Sequence, residues 1–371
     1  MDAPHKKERL MTDTANTTAT GRRTYPGISP TTWEHPTDRA ALAALRAVPG
    51  FDIVLKRLFA VIGEKSLRMY HEANAIKVSS QQFGRLHERF LECCEILDAD
   101  KIPDLYVTQF PLLNAMTIGL DDPFIVVNTT TAEILDDDEL HFVLGHELGH
   151  AMSGHALYKT MLALLMRLTL SGIPLTRLVF FGVILALREW DRKSELSADR
   201  AGLLCIQKPE TAYKTFMKMA GGTRIDEMNL DAFLEQAAQF EQSDTWSDSL
   251  VKLLNTRFIS HPFSVTRAAE IMRWIDSDDY AAVLRGEYRD RDNDDPDFRH
   301  DVRTAMAAYR ERMAKSDDAL AQTLSDWTER ASGAAKDMKG RMRKPNASED
   351  LEDYAWEPFD VDFFEEDEPE G

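Results

Sequence analysis

The residues His146, Glu147 and His150 have the spacing HExxH. On a helix, positions four apart share one face, so two imidazoles can reach a single metal ion. Glu147 lies beside that face, where a carboxylate can take a proton from a metal-activated water. Zinc-dependent hydrolysis is the chemistry this spacing favours. A chance match to three fixed positions in a chain of this length is on the order of one in a hundred on ordinary composition.

Two imidazoles need a third ligand, and a catalytic zinc keeps its fourth position for water. One route continues the same helix as HExxHxxGxxH. The positions that would hold that Gly and His are Ser153 and Ala156, and His155 is out of step. The other route is a carboxylate on a separate helix. Glu195 lies in Arg192-Lys193-Ser194-Glu195-Leu196-Ser197-Ala198-Asp199, with Asp199 one helical turn later. An Asp so placed can accept the far N–H of a zinc-bound imidazole, fixing its tautomer and raising its basicity. Alone, Glu195 reads as a surface carboxylate. With the HExxH upstream and Asp199 in step, it reads as the third ligand. His87, His141 and His155 read as structural or surface residues, and His141, five before His146, faces away from the metal side.

These residues need two helices to present them. Asp136 followed by Glu139 is a capping-box-like start, and the acids at 136–139 suit the positive end of a helix that runs on through the motif. A second helix is expected from Arg188 to Gln207. Upstream, amphipathic stripes predict helices from about Asp38 to Val48, over Phe51 to Tyr70 and over Gln82 to Leu97. Texture changes at Pro103. Leu105–Phe110, Asn114–Gly119 and Phe124–Asn128 read as strands of a small sheet. Further helices are expected over Pro209–Ala220, Leu230–Phe240, Ser249–Leu254, Ser264–Ile275 and Phe298 to about Met342. The fold class is mainly α with a small β-sheet, α+β.

Residues 157–187 are the most apolar part of the chain. Leu157–Leu170 and Pro174–Leu187 would each be roughly 21 Å as helices, short of a hydrocarbon core of about 30 Å. Read as one span, Leu168–Leu187 is long enough, but Pro174 would kink it. Arg177 would fall mid-span, at a cost of about 2.5–3.5 kcal/mol. A buried or membrane-touching helical hairpin is the expectation.

The net charge of -19 is uneven. From Pro345 onward there are twelve acids and no Lys or Arg, so the rest of the chain carries only about -7. No basic stripe points to nucleic acid. Three cysteines, two of them adjacent, do not make a disulfide framework, and a reducing compartment fits. The first residues lack an apolar h-region, so secretion is not expected.

HELGH followed by ELSAD resembles the gluzincin endopeptidases of the HtpX and CAAX prenyl protease type. Asn114-Ala115-Met116 with Phe124-Ile125-Val126-Val127 is similar to that family's Asn-Ala segment and following strand. Asp138-Glu139-Leu140 with Val143-Leu144-Gly145 resembles its approach to the motif, and Ser260-His261-Pro262-Phe263 with Arg267 its distal element. The likeness covers roughly residues 103–275. It implies a gluzincin-like fold with an active-site helix and a short edge strand. It also implies one zinc per chain, held by His146, His150 and Glu195, with Glu147 as general base in peptide hydrolysis. By the same likeness His261 would donate to the oxyanion, Arg267 would pair with Asp199 or another acid, and Asn114 and Ala115 would line the cleft for an extended polypeptide. The family has full membrane spans between its zinc motifs, whereas the segments here are shorter and interrupted by Arg177.

The expected organisation is a disordered segment at 1–30, a helical region at 31–102 and a metallopeptidase domain at 103–296. A long amphipathic helix at 297–344 and an acidic disordered tail at 345–371 follow. The expected setting is cytoplasmic, with membrane-surface contact through 157–187 and a protein partner for the tail. The alternative to a zinc metalloendopeptidase is a catalytically idle zinc-binding adapter that uses the long helix and tail.

Overall fold

The computed structural model describes residues 17–46, 48, 51, 64–170, 178–242 and 264–291. His261, the expected helices at 249–254 and 298–342, and the acidic tail lie outside the described residues, as does most of the Phe51–Tyr70 stretch.

The helices and strands follow in chain order. They are α1 (Pro36–Arg46), α2 (Glu64–Asn74), β1 (Ile76–Lys77), α3 (Gly84–Ile96), β2 (Asp104–Thr108), β3 (Ala115–Ile118) and β4 (Phe124–Asn128). Then come α4 (Thr129–Ile134), α5 (Asp137–Met152), α6 (Ala156–Leu170), α7 (Leu178–Ile206), α8 (Pro209–Gly221), α9 (Leu230–Gln242), α10 (Ser264–Asp276) and α11 (Asp279–Leu284). The protein is mainly helical with one small sheet, as the sequence implies. The sheet order is β1-β2-β4-β3. β2 and β4 are parallel, and the other pairs are antiparallel. All five residues of β4 are buried, which explains its unbroken apolar run. β3 lies at the sheet edge beside α5.

α5 is the central helix. Its capping box forms as the sequence suggests: Glu139 N–H donates to the Asp136 side chain at 2.9 Å, and Asp136 N–H donates to the Glu139 side chain at 2.9 Å. Every residue from Glu139 to His150 is buried, so this helix is enclosed on all sides. One apolar cluster joins α3, the sheet, α5, the C-terminal half of α7, α8 and α10. A second joins α1, α6 and the N-terminal half of α7 around Tyr158, Met161 and Trp190.

Three expectations change. First, Pro174–Leu187 and Arg188–Gln207 are not separate helices: α7 is continuous from Leu178 to Ile206. No Gly or Pro stands between Leu187 and Arg188, so nothing breaks the backbone there. The change in polarity marks a change of neighbour, from the second cluster to the charged centre. Second, residues 17–30 are not wholly without order. Tyr25, Ile28 and Trp33 are fully buried. Tyr25 N–H donates to Ile96 O at 2.9 Å, and Ser29 N–H donates to Arg289 O at 2.8 Å. A polar composition hid a few large side chains that wedge an extended segment into the core. Third, the described part of the helix before the sheet reaches Asn74, beyond the expected end at Tyr70. Among the described residues no helix is long and apolar enough to cross a membrane. Cys93, Cys94 and Cys205 are buried free thiols.

α5 and α7 cross through glycines. A Cβ on Gly149 would stand 2.5 Å from the Ala201 Cβ, and one on Gly145 would stand 2.7 Å from Cys205 Sγ. An Ala201 Cβ cannot rotate away, so a larger residue at 149 must push the helices apart. Gly149→Ala is expected to lower stability by about 1–3 kcal/mol. It should also weaken metal binding, because it moves Glu195 away from His150. Thermal melting and a zinc titration check both, and an unchanged melt would refute the close-crossing account.

Candidate functional site

At this crossing, α5 presents His146, Glu147 and His150, and α7 presents Glu195 and Asp199. His146 Nε2 is 3.5 Å from Glu195 Oε2, and His150 Nε2 is 3.1 Å from Glu195 Oε1. Among the described residues, these three are the group whose donor atoms lie together, all within 4.8 Å, and all three are buried. The remaining nitrogens are committed elsewhere. His146 Nδ1 is 2.9 Å from Asp199 Oδ1, and His150 Nδ1 is 2.9 Å from His155 Nδ1.

The donor set fits a metal ion. Ligands bound tetrahedrally at about 2.0 Å stand about 3.3 Å apart, close to the 3.1 and 3.5 Å seen here. Both imidazoles turn Nε2 inward and Nδ1 outward, the arrangement of metal-ligating histidines with outer partners. The surroundings of the two imidazoles differ. Burial would lower the pKa of His146, but the Asp199 hydrogen bond and the Glu195 carboxylate outweigh it and hold it up at about 9. At His150, burial and the Lys159 ammonium push the pKa well down, which keeps its lone pairs available as a ligand.

Arg267, from α10, closes the site from the far side. Its Nε and Nη2 donate to the two Asp199 oxygens at 2.8 and 2.5 Å, a bidentate pair in a fully buried setting. Burial would raise the Asp199 pKa, but Arg267 overrides it and keeps the carboxylate ionised. The pairing that the family resemblance implied for Arg267 is thus present.

Glu147 projects toward β3. Thr117 Oγ1 lies within hydrogen-bond distance of two Glu147 oxygens, its backbone O at 2.9 Å and its side-chain Oε2 at 2.7 Å. Glu147 Oε1 is left 4.0 Å from His146 Nε2. One carboxylate oxygen is therefore anchored and the other faces the three converging donors. Asn114 directly precedes β3, and Ala115 pairs with Val127 within it. The Asn114 backbone is tied to Thr131 Oγ1 by two contacts of 2.7 Å.

Several partners were not foreseen. Lys159, from α6, donates to Glu195 Oε1 at 2.6 Å and to Asp191 at 2.9 Å. Thr117 follows Ala115 by two along β3, so strand alternation could have drawn attention to it. His155, read above as structural or surface, is buried against His150. Gly154 at φ +69° turns the chain after α5 and folds His155 back, where a helical count no longer applies. His141 does face away from the three converging donors, fully buried near Glu92.

Comparison with known proteins agrees with this geometry. The model of peptidase family M48 matches residues 80–275, more than half of the chain. The Plastoglobule-localized metallopeptidase 48, chloroplastic, of Arabidopsis thaliana is 36% identical over 267 residues, covering 68% of this chain and 75% of the plant protein. A Protease HtpX homolog of Helicobacter pylori is 37% identical over 76 residues, 20% of this chain and 24% of that protein. The Uncharacterized metalloprotease YhfN of Bacillus subtilis is 29% identical over 172 residues, covering 36% of this chain and 40% of its own. No solved structure matches. With the family match spanning β2 to β4, both helices of the candidate site and Arg267, the chain belongs to peptidase family M48.

Proposed function

We propose that the chain is a zinc-dependent endopeptidase, with His146, His150 and Glu195 as the zinc ligands and Glu147 as the general base. The observation that carries this reading is the convergence of three buried donors, with one oxygen of Glu147 turned toward them. When bound there, zinc would lower the pKa of a water and polarise the peptide carbonyl. Glu147 takes the proton of the attacking water on its Oε1 and delivers it to the leaving amine. Thr117 holds the other oxygen, so the base does not rotate away. Asp199 accepts the His146 Nδ1–H and Arg267 fixes Asp199, so the imidazole keeps Nε2 toward the metal.

The substrate is an unfolded or extended polypeptide. It lies along the outer edge of β3, with Asn114 and Ala115 at the start of that strand. His261 completes the reading as oxyanion donor. The plant relative is named as plastoglobule-localized, and the apolar residues 157–187 support contact of this chain with a membrane surface.

Purified protein loaded with zinc is expected to cleave reduced, unfolded casein. A chelator should stop the cleavage and added zinc should restore it. Zinc bound at one per chain with casein left intact would favour the adapter reading instead.

A further inference from the structure

We infer that Asp38 and His155 support the metal ligand His150 from behind, so that helix α1 completes the metal centre. The inference rests on the zinc reading above. It adds two positioning residues, one of them from a helix outside the segment that matches the family.

The contacts form a chain. His150 Nδ1 is 2.9 Å from His155 Nδ1, and His155 Nε2 is 3.1 Å from Asp38 Oδ2. Ser197 Oγ donates to the same Asp38 oxygen at 2.6 Å, and His35 N–H donates to Ser197 Oγ at 2.8 Å. Asp38, His150, His155 and Ser197 are each no more than 2% exposed. Trp190 packs its ring against His155 at 5.5 Å between centroids. Water therefore does not compete for these groups.

One arrangement of protons satisfies the whole chain. A ligand His150 gives its Nε2 lone pair to the metal, so its hydrogen sits on Nδ1. Two ring nitrogens 2.9 Å apart can share only one hydrogen, so His155 Nδ1 must accept. The His155 hydrogen then sits on Nε2, where Asp38 receives it. The carboxylate thereby selects the one His155 tautomer that can accept from His150. Without Asp38, that tautomer loses its reason to form, and a hydrogen on His155 Nδ1 would collide with the one on His150. Asp199 does the corresponding work for His146 directly. Here the carboxylate acts through an intervening imidazole.

The test measures zinc dissociation constants of the full chain by competition with a chelating dye, alongside the visible spectrum of the cobalt-substituted protein. H155F and D38A are each expected to weaken zinc binding by about 10–100-fold. H155Q offers an amide oxygen to His150 and an amide N–H to Asp38, and is expected to stay within about threefold of wild type. Because Asp38 acts through His155, the double variant H155F/D38A should bind zinc within about twofold of H155F alone. The cobalt bands should move in H155F and not in H155Q. Separate structural roles would instead give additive losses and no rescue by Gln, which overturns the inference. Wild-type affinity in H155F overturns it too, while leaving the zinc reading intact. If wild type itself binds no zinc, both fall. If H155F does not fold, D38A and H155Q decide, and unchanged affinity in D38A overturns the inference.

Discussion

Glu147→Gln is expected to cut the turnover of unfolded polypeptide by about 10²–10⁴-fold, the usual contribution of a positioned general base. The substitution is nearly isosteric. A Gln oxygen can still accept from Thr117 Oγ1, which anchors Glu147 at 2.7 Å. Glu147 is not among the three converging metal donors, so zinc content should not change. The loss should fall on kcat with metal stoichiometry preserved. Measuring cleavage and bound zinc on the same preparation separates the two. Turnover equal to wild type would remove Glu147 as the base.

Glu195→Ala should do something different. It removes a donor from the set and leaves Lys159 with the Asp191 carboxylate alone among the two that it now contacts. Loss of an outer partner typically weakens a metal site 10–100-fold, and losing a ligand should cost more. Proteolysis should vanish with the metal. The wild-type melting temperature should drop on chelation, since an ion that binds only the folded chain stabilises it by mass action. The variant should melt at the same temperature with and without chelator. One-to-one zinc binding at wild-type affinity by the variant would end the proposed ligand assignment.

The sequence revealed the parts of this site that lie on regular structure. His146 and His150 share a helix face by spacing alone. Asp199 keeps step with Glu195 for the same reason. The capping box at Asp136 and the apolar run Phe124–Val127 of β4 were readable because they depend on local chemistry. What escaped lies either where local periodicity stops or where the partner is far along the chain. His155 follows a left-handed turn at Gly154. Asp38 is 108 positions upstream of His146, and nothing near it in the chain marks it as a metal-centre residue. Lys159 reads as an ordinary polar residue on an apolar helix until α7 is laid beside it. The continuity of α7 is not legible in the sequence because its hydropathy changes midway with no change of element. Tyr25 and Ile28 were missed because a polar average says little about a few large side chains.

β3 is only four residues long, bounded on one side by Asn114 and on the other by Gly119. A strand that brief gives a stray neighbour few backbone groups to grip, which guards against zipping of one copy onto another. On the proposed binding mode, main-chain pairing along so short an edge cannot choose a target by length of match. Discrimination among substrates would then rest on their side chains and on how readily each presents a slack, strand-like stretch.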